Sequence, residues 1–219
     1  AFFGLLSSHS RVHGFPPREP WEFSEDFQKS FRKITELRYQ LMPYVYTQAA
    51  ICSQKGLPML KALLLNYPDD PTAWMIEDQY LFGNDLLVAP LMEANTTERQ
   101  VYLPEGKWVD YQTTVVYEGG RWHKMASSVL PGIVLARWGA MIPHIALAQS
   151  TAFMDWSKIE WVAYSDGQVP AKGNYYVAEE DKVYGFEAAL FGKSWELISQ
   201  GQHSEELNFS VRSVFDGSF

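Results

Sequence analysis

The sequence predicts a mainly β fold preceded by a short α/β piece, on three observations. Apolar residues recur at helical spacing only between Ser24 and Gly56. Beyond residue 57 the chain breaks into short β-branched and aromatic runs punctuated by Gly, Pro, Asn and Asp, the grammar of antiparallel sheets. No window approaches the ~20 apolar residues of a membrane span, so the hydrophobic residues, 47% of the 219, are expected in a core.

Taken in order, Phe2, Phe3, Leu5 and Leu6 precede polar Ser7 and Ser8 and predict a buried strand that ends where a loop begins. That loop, SSHSRVHGFPPREPW at residues 7–21, gathers Arg11, His13, Arg18, Glu19 and Trp21. Ser24 is placed to cap a helix whose first turn carries Glu25 and Asp26, both favourable at the positive end of the helix dipole. Phe27, Phe31, Ile34, Leu37, Leu41, Val45 and Ala49 then mark one helical face, and Gly56 and Pro58 stop it. Pro43 falls inside this pattern, where its missing N–H should kink the helix or divide it in two. A strand feeding one long helix is half of a βα unit that cannot bury both faces alone, so a further segment upstream of Ala1 is expected.

The runs MLKALLL, YLFGNDLLVAPLM, RQVYLP, KWVDYQT, VVYEGGRWHKM and GIVLARWGAMIP predict the strands of one sandwich. LPEGKW and YEGGRW read as hairpin turns in which glycine supplies a positive φ. A polar bridge around residues 148–155 precedes a second set of strands: WVAYSDGQV, NYYVAEEDKVYGF, SWELISQG and LNFSVRSVF. Boundaries near residues 57 and 148 follow.

A formal charge of −8 and a pI near 5.1 argue against nucleic acid or an anionic membrane as partner, since both select basic faces. Cys52 is the only cysteine, which excludes an internal disulfide and a paired-thiolate zinc site; in its helical run it reads as a small buried hydrophobe. Eight Trp, 12 Tyr and 13 Phe suit sugar rings, but also fill sandwich cores. Trp108, Trp122, Trp138 and His123 read as core or rim, with carbohydrate contact the second option. Asp69, Asp70, Asp78 and Asp85 read as caps and turn formers. Asn95 and Asn208 each begin a glycosylation acceptor triplet. His13, as a residue, reads first as a loop histidine satisfied by backbone, and Arg11 as the holder of a nearby carboxylate.

Several stretches resemble the retaining α-glycosidases of glycoside hydrolase family 31, in its α-xylosidase and α-glucosidase branches. They are SSHSRVHG and REPW in the opening loop, LRYQLMPYVYTQA on the helix, GLPMLKALLLNYPDD, DQYLFGNDLLVAPL and VYLPEGKWVDY, in that order. SRVHG followed by RWHK favours the xylosidase branch. The resemblance is close over residues 1 to about 145 and looser beyond.

The resemblance implies that residues 1–57 are the last strand and helix of a (β/α)8 barrel, residues 58–147 a proximal β-sandwich and residues 148–219 a distal one. In such barrels the loops after the strands build the active site, which gives the polar loop its purpose. The resemblance places His13 on the hydroxyls of the terminal sugar, which a ring that both donates and accepts can match. Arg11 orients the loop, and Trp21 either lines the pocket mouth or packs beneath it. Retaining enzymes of this kind use two carboxylates about 5–5.5 Å apart. No acid here occupies the family's nucleophile or acid/base motif, so no catalytic residue is assigned and the isolated chain is expected to be inactive.

No cofactor and no metal are expected. The expected partners are an α-linked oligosaccharide or glycoside, the remainder of the same enzyme and, in a homo-oligomer, further copies of the chain. The alternative is a non-catalytic β-sandwich module that binds carbohydrate or braces a larger protein.

Overall fold

A computed structural model describes residues 1–200 and 208–215. The chain forms two compact units built from interleaved segments, one comprising Ala1–Arg38, Met59–Phe82 and Leu86–Leu135, the other Tyr39–Pro58, Gly83–Asp85 and Ala136–Phe219. The mainly β class holds. The opening element differs from expectation: Phe2–Leu5 is one helical turn, α1, and not a strand. A strand needs a ladder partner, and none runs beside these residues among those described. The run therefore closes its bonds locally, Leu5 N donating to Ala1 O at 2.9 Å and Leu6 N to Phe2 O at 3.1 Å.

The long helical pattern is divided where Pro43 demands it, into α2 (Glu25–Gln40) and α3 (Met42–Lys55) with Leu41 between. Ser24 caps α2, its Oγ accepting from Phe27 N at 3.3 Å. α3 ends at Gly56, whose N–H closes back on the helix's last turn. The two halves differ in character. α2 is amphipathic, burying Ile34 and Leu37, whereas α3 buries Tyr44, Val45, Thr47, Gln48, Ile51 and Cys52.

The strands are β1 (Leu60–Lys61), β2 (Tyr80–Phe82), β3 (Leu86–Pro90), β4 (Glu98–Leu103), β5 (Lys107–Asp110), β6 (Val116–Glu118), β7 (Arg121–Ala126), β8 (Gly132–Arg137), β9 (Met141–His144), β10 (Lys158–Ala163), β11 (Ala171–Val177), β12 (Lys182–Phe191), β13 (Ser194–Gln200) and β14 (Asn208–Ser213). A six-stranded sheet runs β1-β2-β3-β8-β5-β6, and β4 pairs with β7 alone. The remaining strands form the sheets β14-β10-β9 and β11-β12-β13, with β10 and β14 parallel. The expected strand MLKALLL shrinks to β1, because Leu63–Leu65 turn as a 3-10 helix whose Leu63 carbonyl accepts from Asn66 and Tyr67 at 3.0 Å.

The two glycine turns are not hairpins. β4 pairs with β7 from Glu98↔Ala126 to Leu103↔Arg121, and β5 with β6 from Lys107↔Glu118 to Val109↔Val116. LPEGKW and YEGGRW therefore lie opposite each other in one long ribbon. They are the two sides of its corner, tied by Gly119 N to Gly106 O at 2.6 Å and Gly120 N to Leu103 O at 2.7 Å. Gly106 and Gly120 carry φ values of 115° and 73°, and a Cβ on Gly119 would strike the Pro104 carbonyl. The ribbon's tip is Tyr111–Val115, where Asp110 Oδ1 accepts from Gln112 N and Thr113 N, each at 2.8 Å.

The first unit packs Leu63, Leu81, Leu87, Val101, Leu103, Trp108, Met125, Ile133 and Leu135 into its core. The second centres on Trp161, whose ring lies 5.1 Å from Phe186 and 6.0 Å from Phe209. Residues of the motif LRYQLMPYVYTQA are structural there. Asp85 N donates to the Tyr44 hydroxyl at 3.0 Å and Asn84 N to Gln48 Oε1 at 3.1 Å, so α3 holds the Gly83–Asp85 turn.

Candidate functional site

The opening segment is fixed at its base and bare at its tip. Phe2 and Leu6 are buried, and Phe3 meets Tyr80 edge-on at 5.6 Å. The Arg38 guanidinium, on α2, donates to the carbonyls of Leu5 at 2.8 Å, Ser7 at 2.6 Å and Ser8 at 3.1 Å. Its five fixed N–H donors suit a chain that offers carbonyls from successive residues. Burial lowers the Arg38 pKa from its usual value. The Tyr80 hydroxyl adds a bond to Leu6 O at 2.9 Å, and burial raises its pKa. The Ser7 hydroxyl shares its proton between Gly4 O at 2.7 Å and His9 O at 2.8 Å, closing the base where the loop departs.

From His9 to Arg18 the chain is exposed throughout and forms no helix or strand. Neither Arg11 nor His13 makes a hydrogen bond or ion pair with another described residue. Gly14, with φ 143°, turns the chain where a Cβ would meet the Arg18 side chain. Phe15 is 99% exposed. Glu19 Oε2 accepts from Arg18 N at 2.9 Å, and Trp21, 69% exposed, is the middle residue of the 3-10 turn Pro20–Glu22. Arg11, His13 and Trp21 thus share one solvent-facing segment whose base is buried.

The acids behave as structural groups where their bonds are visible. Asp70 Oδ1 accepts from Thr72 N at 2.9 Å, and its Oδ2 takes the Tyr102 hydroxyl at 2.6 Å. Asp78 pairs with Arg99. Asp110 shapes the ribbon tip. Cys52 is buried, its Sγ 3.5 Å from Pro58 O. His123 sits on the ribbon, its Nε2 2.8 Å from Glu118 O, so that pairing marks it as the rim group expected. Among the described residues no three His, Cys, Asp or Glu converge closely enough for a metal ion, and no described helix is long and apolar enough to cross a membrane.

Sequence reasoning found the loop and missed its anchor. Arg38 carries no sequence pattern for this role, since its partners are backbone carbonyls some 30 positions away. The available signal was its place directly after Leu37, at the edge of the buried face.

Two family models match the chain in succession, the glycosyl hydrolases family 31 TIM-barrel domain over residues 1–48 and the glycosyl hydrolase family 31 C-terminal domain over residues 56–143. An alpha-glucosidase 2 of Bacillus thermoamyloliquefaciens is 30% identical over 220 residues, covering 100% of this chain and 27% of the relative. An alpha-xylosidase of Saccharolobus solfataricus is 31% identical over 181 residues, covering 81% of this chain and 24% of the relative. Among solved structures, the GH31 alpha-xylosidase of Xanthomonas citri superposes with a TM-score of 0.81 at 26% identity, over 97% of this chain and 25% of that one. The chain spans about a quarter of the length of these relatives.

Proposed function

Because the chain belongs to glycosyl hydrolase family 31, we propose that it is the C-terminal portion of a retaining, exo-acting α-glycosidase that removes terminal α-linked xylose or glucose. In this reading residues 1–57 end the catalytic barrel, residues 58–147 form a proximal sandwich and residues 148–219 a distal one. The nucleophile and the acid/base come from earlier strands of the barrel, outside this chain, and the isolated chain is inactive. The visible roles of Asp70, Asp78 and Asp110 in turns and an ion pair support that assignment.

One observation carries the reading: a loop bearing Arg11 and His13 has a base bonded to Arg38 and Tyr80 and a tip with polar groups left unspent. Unspent donors and acceptors on a fixed stalk are what a sugar hydroxyl requires. His13 offers one ring nitrogen as donor and the other as acceptor. Contacts to hydroxyls beside the reacting carbon strengthen as the sugar flattens towards an oxocarbenium-like transition state, so they act on rate more than on ground-state binding. Arg11 pairs with a carboxylate of the barrel and holds the loop's course, while Trp21 stands at the pocket mouth.

The test is steady-state kinetics of the intact enzyme on the p-nitrophenyl α-glycosides of xylose and glucose. His13→Ala is expected to lower kcat/KM at least about hundredfold, roughly 2.7 kcal/mol of transition-state stabilisation. Wild-type kinetics in that variant would remove His13 from the site.

A further inference from the structure

The first unit contains a cleft of about 630 Å³ between the Asn66–Asp70 turn and the ribbon corner at Glu105 and Gly120. Its volume falls within the range of small-molecule sites, about 300–1,000 Å³, and no residue of the opening loop lines it. Tyr67 and Tyr102 give it aromatic walls, and Trp122, cross-strand partner of Tyr102 and half exposed, stands beside it with ring centroids 5.5 Å apart. The cleft is held in shape from beneath. Asp70 is consumed by Thr72, Ala73 and the Tyr102 hydroxyl, and Trp74 Nε1 donates to Pro68 O at 2.8 Å.

Two other acids in the lining are uncommitted. Asp69 and Glu105 are exposed and bond to no other described residue. Three carboxylates without a lysine or arginine in the lining repel phosphate, sulfate and uronic acids. The same acids do not converge as a metal cluster among the described residues. What remains is a neutral molecule with hydroxyls to donate and an apolar face to stack. Carboxylates accept from hydroxyl groups, and an exposed indole covers the C–H face of a sugar ring.

We propose that this cleft is a second carbohydrate site, taking a neutral oligosaccharide by stacking on Trp122 and by hydroxyl bonds to Asp69 and Glu105. The inference stands on the sandwich alone and does not need the enzymatic reading.

The probe is thio-linked maltotriose, which resists hydrolysis, titrated calorimetrically into the intact protein. Two binding events are expected. Trp122→Ala and Glu105→Gln should each weaken one of them about tenfold or more and leave kcat/KM on the aryl glycosides unchanged. Both positions are solvent-exposed, and unchanged melting temperatures would certify the folds. Titrations of both variants that overlay the wild type, or a wild type that binds a single equivalent lost in His13→Ala, would overturn the proposal. Unaltered kinetics in His13→Ala would instead strike the enzymatic reading and leave the cleft untouched.

Discussion

His13 and His144 occupy opposite environments. His13 lies in the exposed tip of the opening loop with no bond to a described residue. His144 is buried on β9 opposite Glu160 of β10, its Nδ1 3.0 Å from Ile142 O. Burial pushes the His144 pKa down to about 4, a nearby Arg212 adds to that, and the Ile142 carbonyl and Glu160 oppose it. One ring is spent on the fold and the other faces solvent. The contrast separates two kinds of evidence: a buried polar group with its bonds satisfied reports folding, whereas the exposed ring on an anchored stalk is the one proposed above to meet a sugar.

The largest effect that sharpens this contrast is on rate. His13→Ala should cost the intact enzyme about two orders of magnitude in kcat/KM and shift the melting temperature by less than about one degree. A comparable fall in stability would break the comparison, since the ring would then be part of the fold. Next comes the stalk. Arg38→Met removes three hydrogen bonds to carbonyls of Leu5, Ser7 and Ser8 while keeping the side chain's bulk. A loss of about 2–3 kcal/mol by urea unfolding is expected, together with reduced activity because the loop loses its base. Full activity would show that the loop needs no anchor.

His144 makes the opposite prediction, on pH. An unfolded histidine titrates near 6.5, and this one holds off its proton until about 4. Between those values the unfolded chain binds a proton that the folded chain does not. The stabilisation is complete above about pH 6.5 and falls away towards pH 4, by up to about 1.4 kcal/mol per pH unit. Comparing urea midpoints of the wild type and His144→Gln across this window should show a flatter curve in the variant, and parallel curves would contradict the assignment. A smaller effect is expected from Tyr80→Phe, which strips one bond from Leu6 O and should cost about 1 kcal/mol. Glu19→Gln, half-buried at the loop's far end, keeps an oxygen to accept from Arg18 N and should change stability by less than about 0.5 kcal/mol.

Features set by local chemistry were legible in the sequence. Ser24 as a cap, Pro43 as a divider and Gly56 as a stop depend on a few neighbouring residues, and each is where the pattern put it. Features set by distant partners were not. Phe2–Leu5 has the composition of a strand, yet a strand is a relation between two segments, and with no ladder partner among the described residues the run closes its bonds as a helical turn. The glycines of LPEGKW and YEGGRW marked sharp turns correctly, but a turn does not announce which strands it joins; here two turns oppose each other in a ribbon corner. The actual ribbon tip has no glycine, and its signal was Asp110 three residues before Thr113, an Asx turn. In the candidate site, His13 and Arg11 stand out through the motif SRVHG, which is what proposes them for the sugar site. Arg38 was hidden because its partners are carbonyls, which every residue has.

The most direct measurement is a crystal structure of the intact enzyme with xylose or glucose in the pocket of the terminal sugar. The expected result is a His13 ring nitrogen within about 3.2 Å of a sugar hydroxyl, on a loop whose base still carries the three Arg38 bonds. A sugar bound with the His13 ring turned to solvent, and its hydroxyls satisfied by other residues, would contradict the assignment of this loop to substrate.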